Sequence, residues 1–451
     1  MDILDTLEFA DFPSYLSGFS ALERYFSMEW GEVLQVETEG SIVDLSRLFV
    51  DISFPGPSRF DAVLEHPRGI VLFRCIDDAG GLFGGSTIGS ELDRRPEPQQ
   101  QATPGERQPQ EPQQIQQTRN PQKPRFGRTL PPPSPLIARI PQALNHQGSL
   151  LYDIQRRAFV DRQSVYYRLR DKTLASVREF YADGEGAADF EGQSPWDAVF
   201  EAALIVARLG YEPSRVLREE LSAPGQNDRN SNNGNTNKEK TKRLPAIDQR
   251  FLLSGVLTGK WAGRGLRLLE ESGFIDAHWP LLSAMDKIDH SKEHHPEGNV
   301  WRHTVEAFAY RKVRELPLSL GLLLHDSGKP FTGPHNGNAF DRHAQIGADK
   351  AGQFLSNLRF DNKTVEQVDY FVRNHMLPSY IPKLPFSRTE DVLSSPLFPE
   401  LLELYRCDVS STFRGPDGYY RACATYRNFL KNRRNPFRSS DGKKRLRMLV
   451  D

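Results

Sequence analysis

The chain has little cysteine, no long apolar run and almost no net charge, and each shortage removes a class of explanation. Its three cysteines, Cys75, Cys407 and Cys423 in 451 residues, are too few and too scattered for a disulfide framework or a zinc ribbon. No apolar run approaches the ~20 residues that span a bilayer. The opening Met1-Asp2-Ile3-Leu4-Asp5 lacks the basic and apolar regions of a secretory leader. These features point to a soluble, cytoplasmic protein. Lys and Arg number 58 against 59 Asp and Glu, so overall charge names no partner and local charge must be read instead.

The length allows two or three domains, each with its own core. Residues 1–88 mix short apolar runs with Gly and Pro, and Gly69-Ile70-Val71-Leu72-Phe73-Arg74-Cys75 reads as a strand of a small α/β unit. Residues 89–135 collapse into Gln, Pro, Arg and Glu, with too few apolar side chains to offset ordering entropy, and read as a disordered linker. A helical neck is expected over 136–220, with Ala198–Leu209 as a largely buried helix that stops at Gly210. A polar, Asn-rich linker follows over 221–243, then a helical body over 244–294.

What the chain does have is concentrated histidine. Nine of its eleven histidines fall between His278 and His375. His303 shares a helical stripe with Val300 and Ala307, and His325 follows Leu318 and Leu322 at the same spacing. His375 follows Val365, Val368 and Val372, and Asp408 follows Leu397, Leu401 and Leu404. Four segments each aim one ligand type at a common apolar interior, and Asp326 adjoins His325. Burying such groups together is tolerable mainly around a cation. Imidazole and carboxylate donors suit Mn, Ni, Co, Fe, Zn or Mg without choosing among them. A divalent cation there would activate water and polarise a phosphoryl oxygen, and Lys329 is placed to hold a phosphate as a catalytic residue.

His303, His325-Asp326 and Asp408 resemble the H…HD…D pattern of HD-domain metal-dependent phosphohydrolases. By that resemblance His343 and His375 serve a second metal or the substrate phosphate. His295 to Thr304 is similar to the start of this domain in bacterial tRNA nucleotidyltransferases (CCA-adding enzymes) and related poly(A) polymerases, as are Phe331 to Ala348 and Asn374-His375-Met376. Gly265 to Ile275 resembles the body helix of that family, and Ala207-Arg208-Leu209-Gly210-Tyr211 the end of its neck. The resemblance implies an α+β fold: a small nucleotidyltransferase-like α/β head, a helical neck and body, and an all-α HD domain over 295–420.

A nucleotidyltransferase of that family needs a glycine turn and paired carboxylates for two cations. In Tyr15-Leu16-Ser17-Gly18-Phe19-Ser20, Phe19 stands where the second glycine belongs, and the nearest carboxylate pair is Glu37-Thr38-Glu39. The nucleotide-reading arginine of the neck motif is missing from Trp196 to Ala203, and Gly84-Gly85-Ser86 is the other glycine turn available. These departures point to a degenerate head. The tail, 421–451, interleaves Arg427, Arg433, Arg434, Lys443, Lys444 and Arg445 with Tyr426, Phe429 and Phe437, the pattern by which single strands are held without sequence readout. The expected function is metal-dependent hydrolysis of a phosphate ester on a nucleotide or RNA end. One alternative is nucleotide addition to tRNA by a CCA-adding or poly(A) polymerase activity, with Glu37 and Glu39 standing in for the missing aspartates. The other is a non-catalytic RNA-binding scaffold.

Overall fold

The computed structural model describes residues 3–30, 32–76, 134, 137–138, 140, 145–180, 195–230, 243–288, 298–332, 342–385, 388–412 and 415–431. The fold is α+β, a sheet-bearing head followed by helices. The head runs α1 (Ile3–Glu8), β1 (Ser14–Leu16), α2 (Gly18–Tyr25), β2 (Val33–Thr38), α3 (Ile42–Leu48), β3 (Ile52–Ser53), β4 (Ala62–His66), β5 (Gly69–Cys75), β6 (Leu150–Asp153) and β7 (Ala158–Asp161). These seven strands form one sheet in the order β3-β4-β5-β2-β1-β6-β7. β2 and β5 are parallel, with Glu37 opposite Arg74, and the other neighbours are antiparallel.

A strand buried on both faces reads as a near-continuous apolar run, and β2 and β5 occupy the centre. Leu34, Val36, Val71 and Phe73 pack on one face against Ile3, Leu7, Leu45 and Phe49. Val33 and Leu72 pack on the other against Phe19 and Leu22 and join the main helical core. The two-residue period of a strand then sends Gln35 and Glu37 to this second face. β6 and β7 fall inside the stretch expected to be a helical neck. Each has four residues, too short for alternation to stand out beside the strong helical pattern that follows.

A two-residue parallel pair, β8 (Thr173–Leu174) with β9 (Glu212–Pro213), brackets α4 (Pro195–Leu209). α4 stops where Gly210 takes φ +72° and donates its N–H to the Val206 carbonyl, a conformation that favours glycine. α5 (Arg215–Asn230) continues as helix into the first residues of the expected polar linker. The body follows as α6 (Ala246–Thr258), α7 (Ala262–Glu271), α8 (Phe274–His278) and α9 (Pro280–Asp286). No helix among the described residues is long and apolar enough to cross a membrane.

The C-terminal part is helical: α10 (Val300–Ala307), α11 (Leu316–Leu324), α12 (His343–Asn357), α13 (Asn362–Asn374), α14 (Leu377–Tyr380), α15 (Glu390–Leu393), α16 (Phe398–Ser410) and α17 (Asp417–Lys431). Asn299 caps α10 by accepting the Arg302 N–H at 2.8 Å, and Asp361 caps α13 through Thr364. α11 is apolar all round and buried from Leu318 to Leu324, so it forms the axis of this part. α17 crosses the expected start of the basic tail. It buries Tyr426 and Phe429, with the Tyr426 ring 4.6 Å from that of Phe398, so these two rings are core and not platforms for bases.

Candidate functional site

The C-terminal end of α11 delivers His325 and Asp326 into the interior. His303 arrives from α10, Asp408 from α16, His343 from the first turn of α12 and His375 from the end of α13. His303 Nε2 lies 3.0 Å from Asp408 Oδ1, and His325 Nε2 lies 3.3 Å from Asp326 Oδ2. The other Asp326 oxygen lies 3.6 Å from His343 Nε2 and 3.8 Å from His375 Nε2. Asp326 thus bridges two groups, His303–His325–Asp326 and Asp326–His343–His375, in each of which one ligand atom per residue falls within 4.8 Å of the others. All six residues named from the sequence therefore converge. Lys329, expected to hold a phosphate, converges with them, and its Nζ sits 2.6 Å from Asp326 Oδ2, so the ammonium is engaged by that carboxylate.

The backbone sets the ring tautomers. His325 Nδ1 donates to the Leu322 carbonyl at 2.8 Å and His375 Nδ1 to Val372 at 2.7 Å. A carbonyl only accepts, so both rings carry their proton on Nδ1 and turn a bare Nε2 inward. His325 Nε2 is buried without a hydrogen-bond partner. Burial lowers the His375 imidazole to about 3, so it is neutral, the form that ligates metals. Burial works to raise Asp326, but the Lys329 ammonium opposes it, and the carboxyl is held well below its usual range. Asp408 is likewise lowered, its desolvation outweighed by the His303 hydrogen bond. Bare imidazole nitrogens, ionised carboxylates and an orphaned buried acceptor form a donor set that fits a divalent cation.

One close approach fixes this geometry. A Cβ on Gly328 would meet the His343 carbonyl oxygen at 2.0 Å and the Gly347 nitrogen at 2.6 Å. Only glycine lets the turn after His325-Asp326 lie against α12, which is how His343 reaches Asp326.

The head carries a second polar face. Ser17 and Gly18 (φ +53°) form the turn between β1 and α2. Glu37, fully buried, accepts from Ser17 Oγ at 3.0 Å and Gln35 Nε2 at 3.2 Å. Arg74 Nη1 on the adjacent strand lies 3.3 Å from the same oxygen. Glu39 accepts from the Tyr15 hydroxyl at 3.1 Å. From α4, Glu201 packs on Gly18, where a Cβ would meet its Oε1 at 2.4 Å, and Asp197 lies 3.7 Å from Arg59. Burial raises the Glu201 carboxyl to about 7 despite nearby Arg59 and Arg74. The two glutamates named from the sequence thus share one face beside the glycine turn, but Glu37 Oε1 is already paired, and Oε2 is buried without a hydrogen-bond partner. Arg74 was missed. The signal was an arginine on the same strand face as Leu72, where an apolar residue would continue the alternation.

Of the basic residues named in the tail, Arg427 is on the exposed side of α17. Arg433, Arg434, Lys443, Lys444 and Arg445 lie outside the described residues, as do Gly84-Gly85-Ser86 and nearly all of 89–135.

No family model matches the chain. Over 202 residues it is 33% identical to the CC-adding tRNA nucleotidyltransferase of Thermus thermophilus, covering 42% of this chain and 45% of that protein. Over 187 residues it is 31% identical to the A-adding tRNA nucleotidyltransferase of Deinococcus radiodurans, covering 38% and 41%. The chain thus spans less than half the length of these curated relatives. Among solved structures it is similar to a tRNA-processing enzyme in apo form, with 10% identity, TM-score 0.44, and 95% and 90% of the two chains covered. A tRNA nucleotidyltransferase complexed with a primer tRNA and an ATP analogue gives 11%, 0.43, 95% and 99%. Superpositions this loose carry no argument.

The relatives overturn the expectation of an HD-domain phosphohydrolase. Both are named as transferases, and neither name describes a hydrolase. The physical reason for the misreading is plain: a convergent donor set fixes where a cation would sit, and the same set serves many reactions.

Proposed function

We propose that the chain acts on tRNA 3′ ends as a tRNA nucleotidyltransferase, in the sense its curated relatives' names describe. The observation that carries this is the 33% identity over 202 residues to the CC-adding enzyme. The head's polar face is compatible with it. A Ser17-Gly18 turn opens α2, whose N-terminus favours phosphate oxygens, and Glu37 and Glu39 stand beside it on one face of the sheet. Partners under this reading are tRNA and a nucleoside triphosphate, in the cytoplasm.

A divalent cation, Mn, Ni, Co, Fe, Zn or Mg, is proposed at His303, His325, Asp326, His343, His375 and Asp408. When bound it supplies a fixed positive charge able to polarise a phosphate oxygen. The chain's own residues prepare that position: Leu322 and Val372 carbonyls orient two imidazoles, and Lys329 keeps Asp326 ionised. Arg427 and the basic residues after it would add phosphate contacts.

A second reading has its own observation. Arg74 sits 3.3 Å from Glu37 and supplies internally the positive charge a catalytic cation would otherwise bring. On that basis the head would bind RNA ends and nucleotides without turning them over. Incorporation of labelled CTP or ATP into tRNA lacking its terminal nucleotides separates the two. The transferase reading expects Mg²⁺-dependent incorporation by the purified chain that is lost in Glu37→Gln. Absence of incorporation at high Mg²⁺ by folded protein that still binds tRNA would leave only the second reading.

A further inference from the structure

The surface of the head beyond β7 carries a feature that neither polar site uses. A short 3₁₀ turn, Val165–Arg168, presents Tyr167 with 89% of its surface in solvent, beside Tyr166 at 39%. The turn is held firmly. Asp161 accepts from the backbone N–H groups of Val165 at 2.8 Å and Tyr166 at 3.1 Å, and buried Val165 and Leu169 anchor its underside. Behind it the rings of Tyr166, Tyr25, Phe159 and Tyr152 follow one another at centroid spacings of 5.8, 5.6 and 4.9 Å, and Arg24 lies over the last ring at 5.1 Å.

Exposed arginines on this protein fall into two kinds, those held by a carboxylate and those without one. Arg157, Arg215, Arg218, Arg264, Arg267 and Arg373 are each held by a carboxylate. Among the described residues, Arg24, Arg168 and Arg170 form no ion pair, and neither do Arg302, Arg314, Arg342, Arg359, Arg388 and Arg421. What is particular here is that Arg168, on the same short turn, and Arg170, just beyond it, follow an exposed aromatic. Arg168 instead stacks over the Phe180 ring at 4.3 Å, and Arg170 is exposed. A single exposed aromatic is ordinary. A rigidly mounted one with two exposed arginines, Arg168 and Arg170, beside it in the chain has the two components of single-strand binding, a stacking platform and phosphate-neutralising charge.

We propose that Tyr167, with Arg168 and Arg170, is a contact for single-stranded RNA in which a base stacks on the Tyr167 ring. The choice of RNA as partner rests on the tRNA reading above. The patch lies at the far end of α2 from the Ser17-Gly18 turn, about 12 Å along an eight-residue helix. A strand whose end lies at that turn could therefore cross it.

The test uses the full chain and short fluorescein-labelled oligoadenylate and oligocytidylate, with affinity read by anisotropy over a salt series. Tyr167→Ala is expected to weaken both oligonucleotides alike, by roughly five- to hundredfold, and Tyr167→Phe to restore most of the loss. Arg168→Gln with Arg170→Gln is expected to flatten the log–log salt slope by about 0.7 per charge removed. Wild-type affinity in Tyr167→Ala, or a salt slope unchanged in the arginine variant, would overturn the contact. Nucleotide incorporation, measured on the same proteins, reports separately on the transferase reading: a chain that incorporates nucleotides while Tyr167→Ala binds normally refutes only the patch.

Discussion

The C-terminal His/Asp cluster and the carboxylate face of the head present the same problem, buried charge, and solve it with different partners, imidazoles and a lysine in the one and an arginine with neutral donors in the other. In the cluster, Asp326 is shared by Lys329 and three imidazoles, and at least one nitrogen, His325 Nε2, is left buried and unsatisfied. In the head, Ser17, Gln35 and Arg74 all reach one oxygen of Glu37, so an arginine supplies the counter-charge there, while the other oxygen is buried without a hydrogen-bond partner. The comparison teaches that conspicuous ligands and catalytic identity are separate properties. The region most easily recognised as a metal centre need not be the one that names the reaction.

The largest effect should follow from removing the shared carboxylate. Asp326→Ala strands the Lys329 ammonium among buried imidazoles, and breaking a buried pair in this way costs about 3–5 kcal/mol. Denaturant midpoints should fall accordingly, and metal content by mass spectrometry should drop with them. Unchanged stability and metal content would remove the distinction between the two regions.

Next is a pH test on the head. Burial raises Glu201 to about 7 from its ordinary 4.5, so between these values the folded state retains a proton that the unfolded chain has released. The contribution to stability is therefore full below about pH 4.5 and lost as pH rises through 7. Glu201→Gln should raise the melting temperature relative to wild type at pH 8, by up to about 3 kcal/mol in stability, and change it little at pH 4.5. Equal shifts at both pH values would show that Glu201 is not protonated in the fold.

Smaller effects test how each region is built. Gly328→Ala must push α12 from the turn after Asp326, costing about 1–3 kcal/mol by overpacking and weakening metal affinity through His343. A Gly347→Ala control, whose new Cβ meets the Gly328 nitrogen at 3.1 Å, should be milder on both counts. Asn299→Ala, which uncaps the helix that carries His303, should cost about 1 kcal/mol and leave the head's behaviour untouched.

The sequence shows the two regions with unequal clarity, for physical reasons. The metal-capable set was legible because ligands at helical spacing on apolar stripes have no inexpensive alternative to convergence; His303, His325, His375 and Asp408 all met. The same stripes said nothing about the reaction, which is why the hydrolase expectation failed. In the head, β5 was visible as an apolar run, but β6 and β7 were hidden by their brevity. The pairing of Glu37 with Arg74 was hidden because it joins residues brought together only by the parallel register of β2 and β5. In the tail, the spacing of Tyr426 and Phe429 fits either a stacking ladder or a buried helix face, and packing on α16 decided for the latter.

Incorporation of labelled CTP and ATP into end-deficient tRNA by wild type, by the Glu37→Gln/Glu39→Gln double variant and by Asp326→Asn would assign the reaction to one region. Transfer carried out by the head predicts loss on the order of a hundredfold or more in the double variant and retention in Asp326→Asn. Transfer that survives in the double variant and disappears in Asp326→Asn would contradict it.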